Sequence, residues 1–217
     1  YFDGQIDELA VFNDVLTASE IDEIRQGAYD LEPDEPTNGF ADNPNCVALW
    51  SFKNGALGTD SVGSSTLTST SSPTSDTTNY MEGAGSADFE SGNDHYLSTS
   101  DASLPSNFPG KSGTSNTTWS VACWIKLESL GSSGTPDWTV RTICGKWTAG
   151  KYSWVLRVLP NVLDMGIGCN SGSSEEHVGL TGRTLSTGVW YHVAVTFNGS
   201  TRAYQMFLYD TSNSLTY

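Results

Sequence analysis

The chain has 217 residues, and its 25 acidic against 10 basic side chains give a formal net charge of −15. It has no basic stripe that could replace the counterions of a nucleic acid, so we expect no polyanion partner. No run of about eighteen apolar residues occurs, so we expect no membrane insertion. Abundant Gly, Ser and Thr, with short apolar runs between turn signals, predict an all-β fold.

The first thirty residues contain a strand and a helix but cannot bury a core of their own. Residues 2–12 alternate loosely as a strand, and a turn follows. Thr17 then caps a short helix, with Glu20 at the position that a capping box requires. The segment 1–30 is therefore expected to complete another unit.

The order of these parts resembles the closing segment of laminin-G-like modules, which are concanavalin-A-like jelly rolls. The pattern is F-x-G-x-I-D-E with an apolar strand, then an N-x-x-L turn and a T-x-x-E-I helix. In this chain it is formed by Phe2, Gly4, Ile6, Asp7, Glu8, Val11, Asn13, Leu16, Thr17, Glu20 and Ile21. In that family the segment closes a module, whereas here it opens the chain.

Residues 31–45 carry three prolines, several acids and almost no apolar bulk, which predicts a linker between modules. On this division, 46–217 is a laminin-G-like module that lacks its own last strands. The segment 1–30 is then the closing strand and helix of a preceding module, or a donated or permuted strand.

The segment 46–217 resembles the same family over most of its length. The matching stretches are the strand 46–52 with the Asp60 loop after it, WSVACWIKL at 119–127, VRTICGK at 140–146 and WYHVAVTF at 190–197. The resemblance implies an all-β, two-sheet antiparallel jelly-roll sandwich with one short helix near the N-terminus.

The densest run of strand-forming residues lies at 188–199, and with 203–209 it predicts a hairpin in the middle of the sandwich. After this hairpin the family would add further strands, but the chain stops at Tyr217. Two accounts fit: the chain is a window of a tandem array, or residues 1–30 fill the gap by strand complementation, in the same chain or in the next one of a filament.

Loop tryptophans are the candidates for sugar binding, because a pyranose face stacks on an indole ring. They are Trp138 and Trp147, with Tyr152 and Asn170 near them in sequence. His177, beside two glutamates in a glycine-rich stretch, is expected to be exposed and joins this candidate set. His192, in contrast, is expected in the interior.

Calcium is the cofactor that the acidic residues and the resemblance favour. Ca²⁺ requires hard oxygen ligands, which the loop of Asp60 and the acidic start of the closing segment, Asp3 and Asp7, would supply.

A catalytic role is not expected. A glycosidase needs two carboxylates that flank the scissile bond. The nearest approach to E-x-D-x-x-E is Glu20 with Asp22, but Arg25 stands at its last position and all three lie on the predicted helix. The adjacent Glu175 and Glu176 would face opposite sides of a strand.

The four cysteines are widely spaced and form no zinc-site pattern. They are Cys46, Cys123, Cys144 and Cys169. Disulfides and buried free thiols both fit, and the sequence chooses no pairing.

These observations leave two functional classes. The first is a non-catalytic extracellular adhesion or recognition module with lectin-like binding of a glycan or a cell-surface protein. The second is a structural subunit of a cell-surface or filament assembly, held together by strand complementation through the segment from Tyr1 to Asp30. Both classes imply a location outside the cell or at its surface.

Overall fold

A computed structural model describes residues 1–26, 43–113, 117–131, 140–148, 151–169 and 174–211, without the side chains of 148, 151 and 169. These residues form thirteen strands, one α-helix and two short 3-10 turns. The elements are β1 (Gly4–Phe12), α1 (Ala18–Arg25), β2 (Cys46–Trp50), β3 (Thr68–Thr70), β4 (Thr74–Asp76), β5 (Ser86–Phe89), β6 (Tyr96–Ser98), β7 (Thr118–Leu127), β8 (Arg141–Thr148), β9 (Lys151–Val158), β10 (Leu163–Cys169), β11 (Ser174–Gly179), β12 (Trp190–Asn198) and β13 (Ala203–Asp210).

The largest sheet has seven strands and is built around β1. Its order is β13-β12-β7-β1-β5-β4, and β2 also pairs with β1. One edge of β1 pairs with β7, and the other is shared between β5 at its start and β2 at its end. The N-terminal strand thus lies within the sheet formed by the later residues of the same chain. Residues 27–42, which include most of the predicted linker, lie outside the described residues.

A β-bulge keeps the apolar residues of β1 on the inner face of this sheet. Ile6 and Leu9 both belong to the core between the sheets, although their spacing of three would place them on opposite faces of a regular strand. The pairing with β7 shifts register between Asp7 and Ala10, and Glu8 has a positive φ of 48°. The extra residue resets the alternation, so that Val11 also points inwards.

Helix α1 covers part of the outer face of the same sheet. Thr17 and Glu20 form the predicted capping box, and Ile21 and Ile24 are the buried helical residues. They pack in one cluster with Ala10, Ala122 and Ala194, which are paired side by side across β1, β7 and β12. Because an alanine side chain projects little from a strand, this row lets the helix approach the sheet closely.

The second layer consists of a four-stranded sheet, β11-β10-β9-β8, and a two-stranded sheet, β3-β6. Between the layers, Val121 and Ile125 of β7 pack in the same core as Leu156 of β9. Trp119 stacks on Trp154 with ring centroids 5.1 Å apart. All the strand pairs are antiparallel, and the predicted all-β sandwich with one helix is confirmed.

The position of the hairpin β12-β13 differs from the prediction. β13 is an edge strand, and the middle of the large sheet is formed by β7 and β1. In the described parts of the chain, no helix has both the length and the apolar character needed to cross a membrane.

Candidate functional site

The outer face of the four-stranded sheet gathers aromatic and charged side chains. In β9, Trp154, Leu156 and Val158 point into the core, so the intervening Val155 and Arg157 face away from it. The register places Gly145 of β8, Val155, Gly166 of β10 and His177 of β11 side by side across the sheet.

Glycine at position 166 makes room for the His177 ring on this face. A Cβ atom on Gly166 would lie 2.7 Å from Cε1 of His177 and 2.8 Å from Cγ1 of Val155. Since such contacts are too short for a side chain, only glycine allows the imidazole to lie across the sheet at this point.

Trp147 and Tyr152 form an aromatic pair at the end of β8 and the start of β9, at the margin of this face. Their ring centroids lie 4.5 Å apart at an interplanar angle of 27°, and the Trp147 ring is also 6.1 Å from that of His177. A register shift between Lys146 and Trp147, near the end of β8, changes the direction in which the Trp147 side chain points.

Four charged or titratable side chains continue from this aromatic pair. Nε of Arg157 lies 2.7 Å from Oδ1 of Asp164, and its Nη2 lies 2.8 Å from Nδ1 of His177. On the other side of the imidazole, Nε2 lies 3.0 Å from Oε1 of Glu175. Because the guanidinium can only donate, Nδ1 accepts this bond, which leaves Nε2 as the ring nitrogen that faces Glu175.

We call the set Trp147, Tyr152, Arg157, Asp164, Glu175 and His177 the aromatic-polar face. Three of the five predicted ligand-binding residues, Trp147, Tyr152 and His177, meet there, and His177 is exposed as expected. The other two, Trp138 and Asn170, lie outside the described residues.

Arg157 and Asp164 were not among the predicted site residues. Each is a charged residue between two apolar ones, in LRV of β9 and LDM of β10. That alternation predicts that both side chains face away from the core. Their contact with each other depends on strand register, which the alternation does not give.

The three predicted calcium ligands lie in separate surroundings. Asp60 holds its own loop together, because its two carboxylate oxygens accept hydrogen bonds from the backbone N–H groups of Leu49, Val62, Gly63 and Ser65. Asp3 accepts from the Ser91 N–H at 2.8 Å and from the Ser129 hydroxyl. Both carboxylates are therefore already engaged by protein donors.

Asp7 is fully buried on the outer face of the large sheet, and one of its oxygens is free of protein donors. Oδ2 accepts from the N–H groups of Met81 and Glu82 at 2.8 and 3.0 Å, while Oδ1 has no hydrogen-bond partner among the described residues. Burial raises the pKa of Asp7 to about 6.

Two further carboxylates lie beside Asp7. Burial, and then the charges of Asp7 and Glu82, raise the pKa of Glu8 to about 8. Burial also raises the pKa of Glu82, which accepts a hydrogen bond of 3.1 Å from the Trp124 indole N–H. The buried Asp7 and Glu8, together with the half-buried Glu82, form what we call the buried acidic cluster, with Lys53 as the nearby cation that opposes the pKa shift of Glu8.

A second acidic group lies at the start of β1. One carboxylate oxygen from each of Asp88, Glu90 and Glu128 falls within 4.8 Å of the others. The amide of Gln5 donates to Asp88 at 2.9 Å and to Glu128 at 2.6 Å. This group has no local signal in the sequence, because β5 and β7 are distant in sequence and approach each other only across β1.

Two expectations concerned interior residues: the burial of His192 and the state of the cysteines. His192 is buried as predicted, and burial lowers its pKa to about 3. Cys46, Cys123 and Cys144 are free thiols, and the side chain of Cys169 lies outside the described residues.

The two layers of antiparallel strands, with a helix on the outer side of one of them, place this protein in the class of jelly-roll sandwiches. A family model described as the concanavalin A-like lectin/glucanases superfamily, of laminin-G type, matches residues 90–209, and the chain belongs to this superfamily. The predicted family is thereby confirmed, while α1 and the strands β1 to β5 lie outside the matched residues. No curated protein and no solved structure gives a significant match.

Proposed function

We propose that this chain is a non-catalytic recognition module that binds glycans at the aromatic-polar face, outside the cell or at its surface. The observation that carries the proposal is the Trp147–Tyr152 ring pair beside the chain of contacts from Asp164 through Arg157 and His177 to Glu175. Superfamily membership supports a carbohydrate-binding or protein-binding module.

The geometry suits a sugar because it supplies two kinds of contact on one surface. An indole ring offers an apolar face to the C–H groups of a pyranose. Guanidinium, imidazole and carboxylate groups offer donors and acceptors to its hydroxyls. Because Arg157 and Asp164 fix each other through an ion pair with side chains only 13% and 9% exposed, the polar groups are held in place before a ligand binds.

Binding is favoured over hydrolysis, although the superfamily includes glucanases. A glycosidase needs one carboxyl group to act as an acid and another to act as a base or nucleophile. On this face the Asp164 carboxylate is buried against Arg157, and Glu175 is bonded to His177. Both carboxylates are thus committed to holding neighbouring side chains.

Substitution of Trp147 tests this proposal. In a glycan array followed by calorimetry on the best ligand, we expect Trp147→Ala to weaken binding by roughly tenfold or more, about 1.4 kcal/mol, because the stacking surface is lost. Tyr204→Ala is the matched control, since Tyr204 is an exposed tyrosine on β13 in the other sheet. Absence of any glycan binding by the intact chain, or equal binding by Trp147→Ala, would contradict the proposal.

We further propose that Ca²⁺ binds at the buried acidic cluster. The free Oδ1 of Asp7 fits a hard cation, because carboxylate oxygens are the ligands that Ca²⁺ prefers. A bound cation would neutralise part of the charge that burial makes unfavourable and would stabilise the fold. Asp60 does not fit this role, because four backbone donors already occupy its oxygens.

Thermal unfolding with Ca²⁺ and with a chelator tests the metal proposal. We expect Ca²⁺ to raise the Tm of the intact chain and to leave the Tm of Asp7→Asn unchanged, because the amide removes one negative ligand. Asp88→Asn is the control for the second acidic group. A Ca²⁺ effect that survives in Asp7→Asn and disappears in Asp88→Asn would move the site to the second group.

Assembly through the segment from Tyr1 to Asp30 stays a prediction. In this structure residues 4–12 are paired on both edges within their own chain, so donation of that strand to a neighbour would require β1 to leave its sheet.

A further inference from the structure

Besides Trp147 and Tyr152, the structure holds a second stacked pair of aromatic rings, Tyr1 and Tyr96. Their ring centroids lie 5.7 Å apart at an interplanar angle of 14°. Tyr1 is 48% exposed, and Tyr96, at the start of β6, is 38% exposed. Because the two rings already fix each other, they present an ordered apolar surface to solvent that loses little conformational entropy when a ligand binds.

Both ring pairs line a single cleft, which has a volume of about 1340 Å³. Trp147 and Tyr152 thus belong both to the aromatic-polar face and to this cleft. A ligand that stacks on Trp147 can therefore continue along the cleft to the Tyr1–Tyr96 pair.

Strand β8 sets the distance between the two ring pairs. At its start, Nη1 of Arg141 donates a hydrogen bond of 3.4 Å to the backbone carbonyl of Tyr1. Trp147 stands near its other end. A strand rises about 3.3 Å per residue, so the stretch from Arg141 to Trp147 places the pairs on the order of 20 Å apart. One pyranose ring is far shorter than this, so only a chain of sugars reaches both pairs.

Close to Trp147, an ion pair crosses the cleft and offers polar contacts to a sugar chain. Nζ of Lys146 lies 2.6 Å from Oδ1 of Asp101, and the two side chains are 22% and 37% exposed. The apolar lining residues Ile6 and Leu9, in contrast, are only 2% and 6% exposed. A ligand therefore lies at the open side of the cleft, over the ion pair, where the ammonium group donates to hydroxyls and the carboxylate accepts from them.

The charges of the cleft favour a neutral glycan. Lys146 is paired with Asp101, and Nζ of Lys111 is bonded to the backbone carbonyls of residues 101, 102 and 104. Both lysines that line the cleft are thus engaged by the protein, and the net charge of −15 repels a polyanion. Hydroxyl side chains also line the cleft and suit the hydroxyls of a neutral sugar, among them Ser98, Thr99, Ser112 and Thr142.

We propose that the aromatic-polar face and this cleft together bind an extended, neutral glycan chain, whose sugars stack on the Trp147–Tyr152 pair and on the Tyr1–Tyr96 pair. The inference rests on the proposed glycan binding and adds the length and the class of the ligand. Chains of pyranoses joined through equatorial bonds fit this class, because they are extended and show C–H groups on both faces of each ring. β-1,4-Linked glucose chains have this form.

Two gluco-oligosaccharides of this class provide the probes, and calorimetry on the intact chain measures their affinities. Cellobiose, a disaccharide, reaches only one ring pair, whereas cellohexaose, a hexasaccharide, is long enough for both. A hexasaccharide contains five overlapping disaccharides, so statistics alone favour it by about fivefold. Because the second pair adds its own stacking contacts, we expect cellohexaose to bind at least about twentyfold more tightly than cellobiose.

Substitutions at Tyr96 test the second ring pair. Tyr96→Ala should reduce the ratio of the two affinities to about fivefold, whereas Tyr96→Phe, which keeps the ring, should retain most of the ratio. Tyr80→Ala is the matched control, since Tyr80 is 40% exposed but does not line the cleft. Circular dichroism checks that the variants fold. An unchanged ratio in Tyr96→Ala, or an equal loss in Tyr80→Ala, would overturn the proposal.

The two probes distinguish failure of this inference from failure of the proposed function. If a glycan array shows binding that Trp147→Ala weakens, but cellohexaose exceeds cellobiose by no more than about fivefold, the extended ligand is wrong and the glycan site stands. The same conclusion follows if the array shows other glycans and cellohexaose does not bind at about 1 mM. Absence of any glycan binding would overturn both proposals.

Discussion

At the scale of single residues, the most unusual feature is the buried acidic cluster in the middle of a sheet. Asp7 is completely buried and Glu8 is 6% exposed. Burial disfavours the charged form of a carboxyl group and so raises its pKa. The neighbouring carboxylates add to the shift at Glu8. The folded chain therefore retains protons that the unfolded chain has already released.

This difference makes stability depend on pH in a defined direction. The pKa of Glu8 rises from 4.5 to about 8 and that of Asp7 from 3.8 to about 6 on folding. Between the unfolded and folded pKa values the native state binds more protons, so stability falls as the pH rises. In a chelator, we expect the free energy of unfolding in urea to be larger at pH 5 than at pH 8.

Glu8→Gln should raise stability at pH 8 by on the order of 1 kcal/mol or more and should flatten this pH dependence, because it removes the buried charge. Glu176→Gln on the exposed strand β11 is the control and should change neither value. Unchanged pH dependence in Glu8→Gln would show that Glu8 is not the source of the effect.

At the scale of elements, the contact between α1 and the sheet depends on the row of three alanines. Ala122, in the middle of the row, is completely buried. Ala122→Leu should destabilise the fold by about 1–3 kcal/mol, because the larger side chain lifts the helix from the sheet. Denaturant unfolding measures this loss, and Ala203→Leu at an exposed position of β13 should be nearly neutral. Equal losses in both variants would contradict a close helix–sheet contact.

The sequence predicts individual helices and strands better than it predicts which of them lie next to each other in the fold. The capping box of α1 is local, so Thr17 and Glu20 reveal it directly. The predicted position of the hairpin β12-β13 is wrong, because apolar residues on both faces of β12 suggest a place in the middle of the sheet. In the structure, one face of β12 packs into the sandwich core, and Ala194 on the other face lies in the cluster with α1. A strand whose outer face is covered by a helix thus shows the same apolar pattern as a strand in the middle of a sheet.

The same limit applies to the aromatic-polar face. Trp147, Tyr152 and His177 are recognisable as candidates because aromatic or titratable residues stand beside polar and glycine-rich stretches. Their approach to Arg157 and Asp164 depends on the register of β9, β10 and β11. That register is set by long-range packing, which one sequence does not display.

At the scale of the whole molecule, the sandwich depends on its first strand. β1 pairs with three other strands and supplies Ile6, Leu9 and Val11 to the core. Removal of residues 1–26 should abolish cooperative thermal unfolding, because the middle of the large sheet is lost. Near-ultraviolet circular dichroism and a thermal melt measure this. A peptide of residues 1–26 added in trans should restore the transition, and an unchanged melt of the shortened chain would refute the prediction.

The bulged strand β1 also has a consequence for folding kinetics. Ile6 pairs with Ile125, so the edge of the strand that pairs with β7 waits for a partner more than a hundred residues away in sequence. Contacts this distant slow folding. At a synthesis rate of 5–20 residues per second, the partner follows roughly 6–24 s later. Charged residues within an apolar strand oppose aggregation. We therefore expect Asp7 and Glu8, which lower the stability of the finished sheet at neutral pH, to oppose aggregation of the nascent strand during that interval.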